Sequence, residues 1–322
     1  MKLQTKALYN LIRLNASETP SAAVEPWALE DLRSTSLESL FQTLGKAGIF
    51  LDKQSFISFA EESDTPEDLT EILLEESTSP QQYDQVYLSV FELWRRFLPE
   101  KQSLSIFCDE LDFRIFLYDQ DQLESDESIQ DILANLKEVL DENIDEGAIP
   151  VESFDILTEY CAHDVEGFLY DYISDLLDSG NAIYASELIE GFCAYVSEPI
   201  WFDFLRARML SFTDPAKANA EIARILDQNP TEDTPFLFEV LRFLAVSGDH
   251  RLFIAVIQKI LIHLQSEEEF EEVMEIAADY YRRLDKDEVE TAIERLMKKR
   301  KNSHVQFSVN DPDLRSFAES LK

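Results

Sequence analysis

The stretch PIWFDFLRARMLSFTDPAKANAEIARILDQNP, residues 199–230, contains two amphipathic segments joined by a short polar turn. Apolar residues recur at helical spacing in both segments, and Ala218 stands where the second segment would pack most closely against the first. The stretch therefore predicts a helical hairpin. Its function depends on whether the hairpin stands alone or repeats, because arrays of such hairpins usually bind other proteins.

A similar rhythm extends on both sides of this hairpin. From residue 149 onward, the apolar spacing predicts helices joined by short connections, which place consecutive helices antiparallel. A hairpin that recurs about every 34 residues predicts an α-solenoid. The predicted helices are 150–161, 164–178, 181–195, 198–212, 214–228, 233–247, 250–264, 267–284 and 286–300.

Composition also favours helices. The 7 Gly and 11 Pro are fewer than sheet-rich folds usually need in their turns, while 22 Phe and 11 Tyr argue against disorder. We therefore expect an all-α protein of antiparallel helical hairpins. An irregular helical domain is predicted over residues 1–148 and a helical-repeat domain over 149–301. A tail over 302–322 should hold a short extended piece and a small final helix.

Cysteine content and hydropathy bear on location. The residues Cys108, Cys161 and Cys193 are odd in number and lie in apolar helical contexts, which favours buried thiols in a reducing compartment. No run of about 18 apolar residues predicts a membrane span. Residues 1–15 favour an amphipathic helix over a signal peptide, so we expect a cytoplasmic protein. Without a CxxC pair, a structural zinc site is not expected.

The formal charge of −37 is concentrated in the middle of the chain. Residues 51–200 contain 37 acidic and only 6 basic residues, and no Lys or Arg occurs between Lys137 and Arg206. Such a surface repels nucleic acid and anionic membranes, whose phosphates require cations. It attracts basic protein surfaces, although a solvated surface that aids solubility is the plainer interpretation.

The stretch 199–232 resembles a tetratricopeptide repeat. In that family, aromatic and Leu positions mark the first helix, and the second helix has a small residue at close contact and a closing Pro. The matching residues are Phe202, Leu205, Met209, Ala218, Ile222, Ile225 and Pro230. The chain departs from the pattern at Arg206, which stands at a small position, and at Ile225. Residues 165–198 and 236–270 keep the hairpin length but only fragments of the pattern, so a general all-helical bundle is the alternative.

The resemblance implies a protein-binding function without catalysis, as a scaffold, adaptor or chaperone. Some family members bind the acidic tail of a chaperone through a lysine after the first aromatic position, but here that position is Asp203. An acidic groove instead favours a basic or amphipathic ligand. The acidic stretch 138–205 and the adjoining concave face predict contacts at Asp171, Asp175, Glu187, Glu190 and Asp203, with Trp201 as an aromatic anchor. Core packing is the competing interpretation of Trp201.

Two alternative functions remain open from the sequence. The run KKRK at 298–301 would allow pairing with the acidic middle of a second copy, which predicts a self-assembling structural protein and a homo-oligomer. The same run also fits a nuclear import signal or a cationic helix end. A carboxylate- or metal-dependent enzyme is the other alternative. However, no catalytic motif is present, and we expect no catalytic residue, metal or cofactor.

Two short motifs match the pattern of a metal-binding or catalytic site only in part. The stretch DENIDEGAIPVE, residues 141–152, has several positions of a calcium-binding loop, but its glycine is one place late and Pro150 disturbs the coordinating segment. The residues Cys161, His163 and Asp164 lie close together and fit a nucleophile–base pair or a metal site. The plainer interpretation makes Asp164 a helix cap and Cys161 an apolar-facing residue.

Overall fold

The computed structural model describes residues 3, 7–18, 25–28, 30–75, 77–123, 125, 127–228, 233–303, 307–308 and 311–321. Within these residues the chain forms 17 α-helices, two short 3-10 helices (Pro26–Ala28 and Leu32–Ser34) and no strand. The all-α prediction is therefore confirmed.

The chain forms two compact units. The first comprises Met1–Leu169 with Ala194–Ser197, and the second comprises Tyr170–Cys193 with Glu198–Lys322. The predicted domain boundaries at 148 and 301 remain predictions. The helices are α1 Tyr9–Glu18, α2 Leu37–Lys46, α3 Lys53–Glu61, α4 Pro66–Leu73, α5 Pro80–Phe97, α6 Leu104–Asp119, α7 Glu127–Asp145, α8 Pro150–Thr158, α9 Val165–Asp178, α10 Ala182–Phe192, α11 Pro199–Ser211, α12 Pro215–Gln228, α13 Thr234–Ser247, α14 His250–His263, α15 Glu267–Arg283, α16 Asp287–Ser303 and α17 Pro312–Ser320.

The first unit is built around α5. Every residue from 86 to 94 of this helix is buried, including Tyr87, Phe91 and Trp94. Helix α5 contacts α1, α2 and α4, while α6 contacts α1, α7 and α8. Burial of large aromatic side chains is the main favourable contribution to such a core. These contacts follow no repeating order along the chain.

Local signals in the sequence set several helix ends in this unit. The side chains of Ser36, Asp52 and Thr65 accept backbone N–H groups of the first turns of α2, α3 and α4. Such caps satisfy donors that have no partner inside the helix. At the other end, α5 stops at Phe97, because the residue before Pro99 is sterically kept out of the helical region.

The second unit consists of successive hairpins. The paired helices α11 and α12, α13 and α14, and α15 and α16 contact each other, and the first helices also contact in order, α11 with α13 and α13 with α15. The first helices of these three hairpins begin at Pro199, Thr234 and Glu267, at intervals of 35 and 33 residues. These contacts are consistent with a helical repeat, and the TPR-like solenoid itself stays a prediction.

Most predicted helices from residue 149 onward agree with the structure to within two residues, but α8 and α10 end three residues early and α16 continues three residues beyond its predicted end, to Ser303. Helix α8 ends at Thr158 rather than 161, because the chain turns there and the N–H groups of Ala162 and His163 donate to Asp112 at 2.7 and 2.9 Å. The predicted final helix is found as α17. The closing Pro230 of the repeat pattern, and most of the extended piece predicted after residue 302, lie outside the described residues.

Candidate protein-interaction surface

An aromatic layer joins the first helices of the second unit. The ring of Trp201 makes edge contacts with Tyr170 and Phe236, with centroid distances of 4.8 and 5.1 Å. Its Nε1 donates to Glu198 Oε2 at 3.0 Å. Trp201 is half-buried and packs between neighbouring helices, as the core interpretation requires. A partner has access only to the part of the ring that faces solvent, and the anchor role stays a prediction.

Arg208 is a buried arginine that the sequence analysis did not single out. It is only 7% exposed, and its Nη2 lies 2.8 Å from Asp178 Oδ1, while its Nη1 donates to Ser174. The same guanidinium lies 3.8 Å from Glu239 Oε1. These contacts link α9, α11 and α13, because guanidinium is planar and offers five donors to different partners.

The ion pairs continue one hairpin further along. Arg242 Nη1 lies 3.1 Å from Glu239 Oε2, and its Nη2 pairs with Glu272 on α15. Together with Arg208 and Asp178, these residues form a charge ladder across α9, α11, α13 and α15. Most charges in the ladder are paired with an opposite charge, so the ladder adds little net charge to the surface. Its ion pairs connect α9, α11, α13 and α15.

The predicted contact residues lie on three different helices. Asp171 and Asp175 are exposed on α9, whereas Glu187 and Glu190 are exposed on α10. Asp203 lies on α11 and pairs with Arg206 at 2.9 Å, a pair in which both side chains keep considerable exposure. The structure therefore gives Asp203 a cation of its own. An exposed pair of this kind typically contributes only about 0.2–1 kcal/mol.

One face of α10 combines acidic and apolar side chains. Ile183 is 78% exposed, and Glu187 and Glu190 follow it at positions i+4 and i+7, which lie on the same side of a helix. The other side of α10 buries its apolar residues against the unit, through Ala185, Leu188, Ile189 and Phe192. We call Ile183, Glu187 and Glu190 the α10 stripe. The sequence identifies its two acids but not Ile183, because a single exposed isoleucine does not stand out among the apolar residues that recur at helical spacing.

The helix that carries this stripe and the helix before it contain no basic residue. Residues 165–192 contain six acidic side chains and no Lys or Arg. Within the described part of the chain, no ion pair involves Glu187 or Glu190. In the later hairpins, by contrast, many acids are paired within their own helix, such as Glu221 with Arg224. Glu187 and Glu190 are thus available to a cationic ligand.

The calcium-loop interpretation is wrong for residues 141–152. Helix α7 runs through Asp145, so Asp141 and Asn143 lie on a helix and cannot wrap around an ion in a loop. Asp141 instead pairs with Lys137 and accepts from the hydroxyl of Tyr195. The described residues contain no group of three or more side chains that could hold a metal ion.

The Cys161, His163 and Asp164 group has structural roles. His163 Nδ1 lies 2.9 Å from Asp112 Oδ1, and this hydrogen bond raises the pKa of His163. Asp164 caps α9 by accepting the N–H of Gly167 at 3.0 Å. The hydrogen bond with Cys108, and burial, raise the pKa of Cys161 well above its ordinary value. The thiol is therefore protonated at neutral pH and is a poor nucleophile.

The cationic run at 298–301 is partly used inside the chain. Arg300 is 3% exposed and lies 2.6 Å from Glu267 Oε2 and 2.7 Å from Asp311 Oδ2. Lys299 lies 2.8 Å from Asp313 Oδ1. These pairs hold α17 against the last hairpin. They also leave fewer cationic side chains of the run available to an import receptor or to a second copy.

The comparisons with known proteins give no relative. The sequence matches no family model and no curated protein, and no solved structure matches the fold. Among the described residues, no helix has both the length and the apolar character needed to cross a membrane.

Proposed function

We propose that this chain is a non-catalytic binding protein, a scaffold, adaptor or chaperone, that binds a basic, amphipathic segment of another protein. The α10 stripe is the observation that carries the proposal. It places an exposed isoleucine beside two exposed glutamates in a hairpin without any basic residue. A ligand with lysines on one side and leucines on the other satisfies both halves of the stripe.

The rest of the second unit supports a rigid platform for this stripe. The charge ladder through Arg208 and Arg242 fixes successive first helices, and the aromatic layer around Trp201 packs them. We propose that the hairpins of α11 to α16 form a TPR-like α-solenoid that extends the binding surface. Asp171 and Asp175, exposed on the neighbouring helix α9, widen the acidic surface. The free thiols support a reducing, cytoplasmic location.

The test uses the full chain and a labelled helical peptide of leucines and lysines, with a glutamate-for-lysine peptide as the ligand control. Fluorescence anisotropy at about 0.05 and 0.3 M salt gives the dissociation constants. We expect saturable binding of the basic peptide that weakens as salt rises, because exposed charges are screened. The acidic peptide should not bind.

Charge-neutralising variants localise the site. Each exposed charge contact is worth about 0.2–1 kcal/mol, so Glu187→Gln with Glu190→Gln should weaken binding roughly 2- to 30-fold. The matched control is Glu61→Gln with Glu62→Gln, two exposed glutamates of the first unit, which should leave binding within about twofold. Equal losses in both double variants would show that only overall charge matters and would refute the proposed site.

A further inference from the structure

Four arginines cluster in the first unit, where α1, α5 and α6 meet. Arg13 lies on α1, Arg33 lies on the 3-10 helix before α2, and Arg95 and Arg96 lie in the last turn of α5. The cluster is unexpected in so acidic a chain. Only six basic residues occur in residues 51–200, and two of them are in this cluster.

Two buried carboxylates hold the cluster together. Glu92, with a side chain only 1% exposed, pairs with Arg95 at 2.7 Å and also with Arg96. Asp109, with a side chain 6% exposed, lies 2.5 Å from Arg33 Nη2. Four guanidinium groups therefore face two buried carboxylates. Of the other acids near the cluster, Glu110 pairs with Arg114 at 2.7 Å, and the acids at 30 and 31 are exposed, so solvent screens their charges.

The hydrogen-bond donors of the cluster are only partly satisfied. Arg96 Nη2 donates to the backbone carbonyls of Leu32 and Arg33 at 2.8 and 3.1 Å. Arg33 Nε is buried and meets no acceptor within the described residues, while its guanidinium lies over the Phe113 ring, 4.1 Å from the centroid. Arg13 donates to two neutral oxygens, the backbone carbonyl of Glu30 at 2.9 Å and the hydroxyl of Tyr9 at 3.5 Å. Arg13 therefore pairs with no carboxylate among the described residues, and it is the cation of the cluster that an added anion would complete.

Solvent reaches the guanidinium groups. The side chains of Arg33, Arg96 and Arg95 are 19, 24 and 25% exposed. Their carboxylate partners lie beneath them, which pre-orients the planar groups. Planar guanidinium groups suit the paired oxygens of phosphate better than lysine does.

We propose that this arginine cluster binds a phosphoryl oxyanion. The cluster carries two more positive than negative charges, and a phosphate monoester carries a charge of about −1.5 to −2 at neutral pH. A dianionic ligand therefore neutralises the net charge of the cluster, whereas a ligand with a single carboxylate leaves one positive charge without a partner. The ligand is either a small phosphomonoester or a phosphorylated side chain of a protein, since both present the same group.

The experiment measures binding of inorganic phosphate to the full chain by ³¹P line broadening, at constant ionic strength near neutral pH. Sulfate and acetate serve as competitors. We expect saturable binding that sulfate displaces and that equal concentrations of acetate do not. Phosphoserine and a phosphoserine peptide then show whether the natural source is a small molecule or a protein, according to which binds more tightly.

Substitutions test the location. Arg13→Gln removes a cation that pairs with no carboxylate in the described chain, so the fold should persist, and phosphate binding should weaken about tenfold for a lost charge-assisted hydrogen bond. Arg251→Gln is the control, since Arg251 is an exposed arginine of the second unit and its loss should not change binding. If Arg13→Gln loses its helical signal in circular dichroism, Arg95→Lys takes its place, because it keeps the charge and removes the planar fork. Binding that is not saturable, or that acetate displaces equally, overturns the proposal, as do equal effects of the cluster variant and the control.

Discussion

Replacement of Arg300 by methionine should destabilise the second unit strongly at neutral pH. The Arg300 side chain is 2% exposed and is surrounded by Glu267, Asp311 and Asp313, and its guanidinium lies 4.9 Å from the ring centroid of Phe270. Methionine keeps much of the apolar stem but leaves three carboxylates without their shared cation. Removal of one partner from a buried ion pair typically costs about 3–5 kcal/mol.

A somewhat smaller cost is expected here, because the Glu267 side chain is 26% exposed and can regain water. We expect Arg300→Met to lower the free energy of unfolding by about 2–4 kcal/mol at pH 7, measured by urea unfolding with circular dichroism. Arg295→Met on the same helix is the control. Arg295 is exposed, so its loss should change stability by less than about 0.5 kcal/mol.

The penalty should also depend on pH. Burial raises the pKa of Asp311, but the hydrogen bonds from Asp313 and Arg300 outweigh it and hold the pKa below its ordinary value of 3.8. The wild-type chain therefore gains stability from Asp311 above that value and loses it as the pH falls through the native pKa. In Arg300→Met the carboxylates repel one another when ionised, so the difference from wild type should shrink below about pH 4. A difference that is equal at pH 7 and pH 3.5, or no larger than that of Arg295→Met, would refute this account of the cluster.

Three further predictions test other parts of the structure. Thiol labelling of the native chain should modify Cys193, which is half-buried, well before Cys108 and Cys161, which should react only after urea unfolding; equal rates for all three would contradict the burial of the pair. Burial raises the pKa of Asp109 to about 6, so this group favours the native state at low pH, and its contribution is lost as pH rises from about 4 to about 6. Asp109→Asn should therefore gain stability relative to wild type between pH 4.5 and pH 7 in urea unfolding, and an unchanged difference between these pH values would argue against the raised pKa. Ala218 is 1% exposed, so Ala218→Leu should overpack the hairpin of α11 and α12 and lower the unfolding free energy by about 1–3 kcal/mol, whereas unchanged stability would mean that the two helices are not closely packed there.

The helices of this protein are largely predictable because their ends carry local signals. Helix α13, for example, is predicted over 233–247 and is found at Thr234–Ser247. A proline in its first turn marks its start, and Gly248 follows its last residue. Caps such as Ser36 depend on residues three positions apart, which the sequence shows directly. The early end of α8 was not predictable, since contacts with a residue far along the chain, those of Asp112 with residues 162 and 163, determine it.

The candidate sites were less predictable, because burial and pairing of charges are properties of the tertiary structure. In the sequence, Arg208 and Arg300 look like ordinary surface arginines. In the structure, both are buried within ion-pair clusters. Asp203 read as an acidic contact residue and has its own cation. Composition alone did identify the acidic stretch 138–205, which has no basic residue, and the structure added Ile183 on the exposed face of α10.

The most direct test of the proposed function is hydrogen–deuterium exchange of the full chain with and without the basic amphipathic peptide, read by mass spectrometry. Docking on the α10 stripe should slow exchange in peptides covering 182–192 and in the adjoining part of α9, where Asp171 and Asp175 are exposed. The acidic helix α7 should be unaffected, although it also carries many carboxylates. Protection that appears on α7 as strongly as on α10, or that appears nowhere at saturating peptide, would contradict the proposal that this stripe is the binding surface.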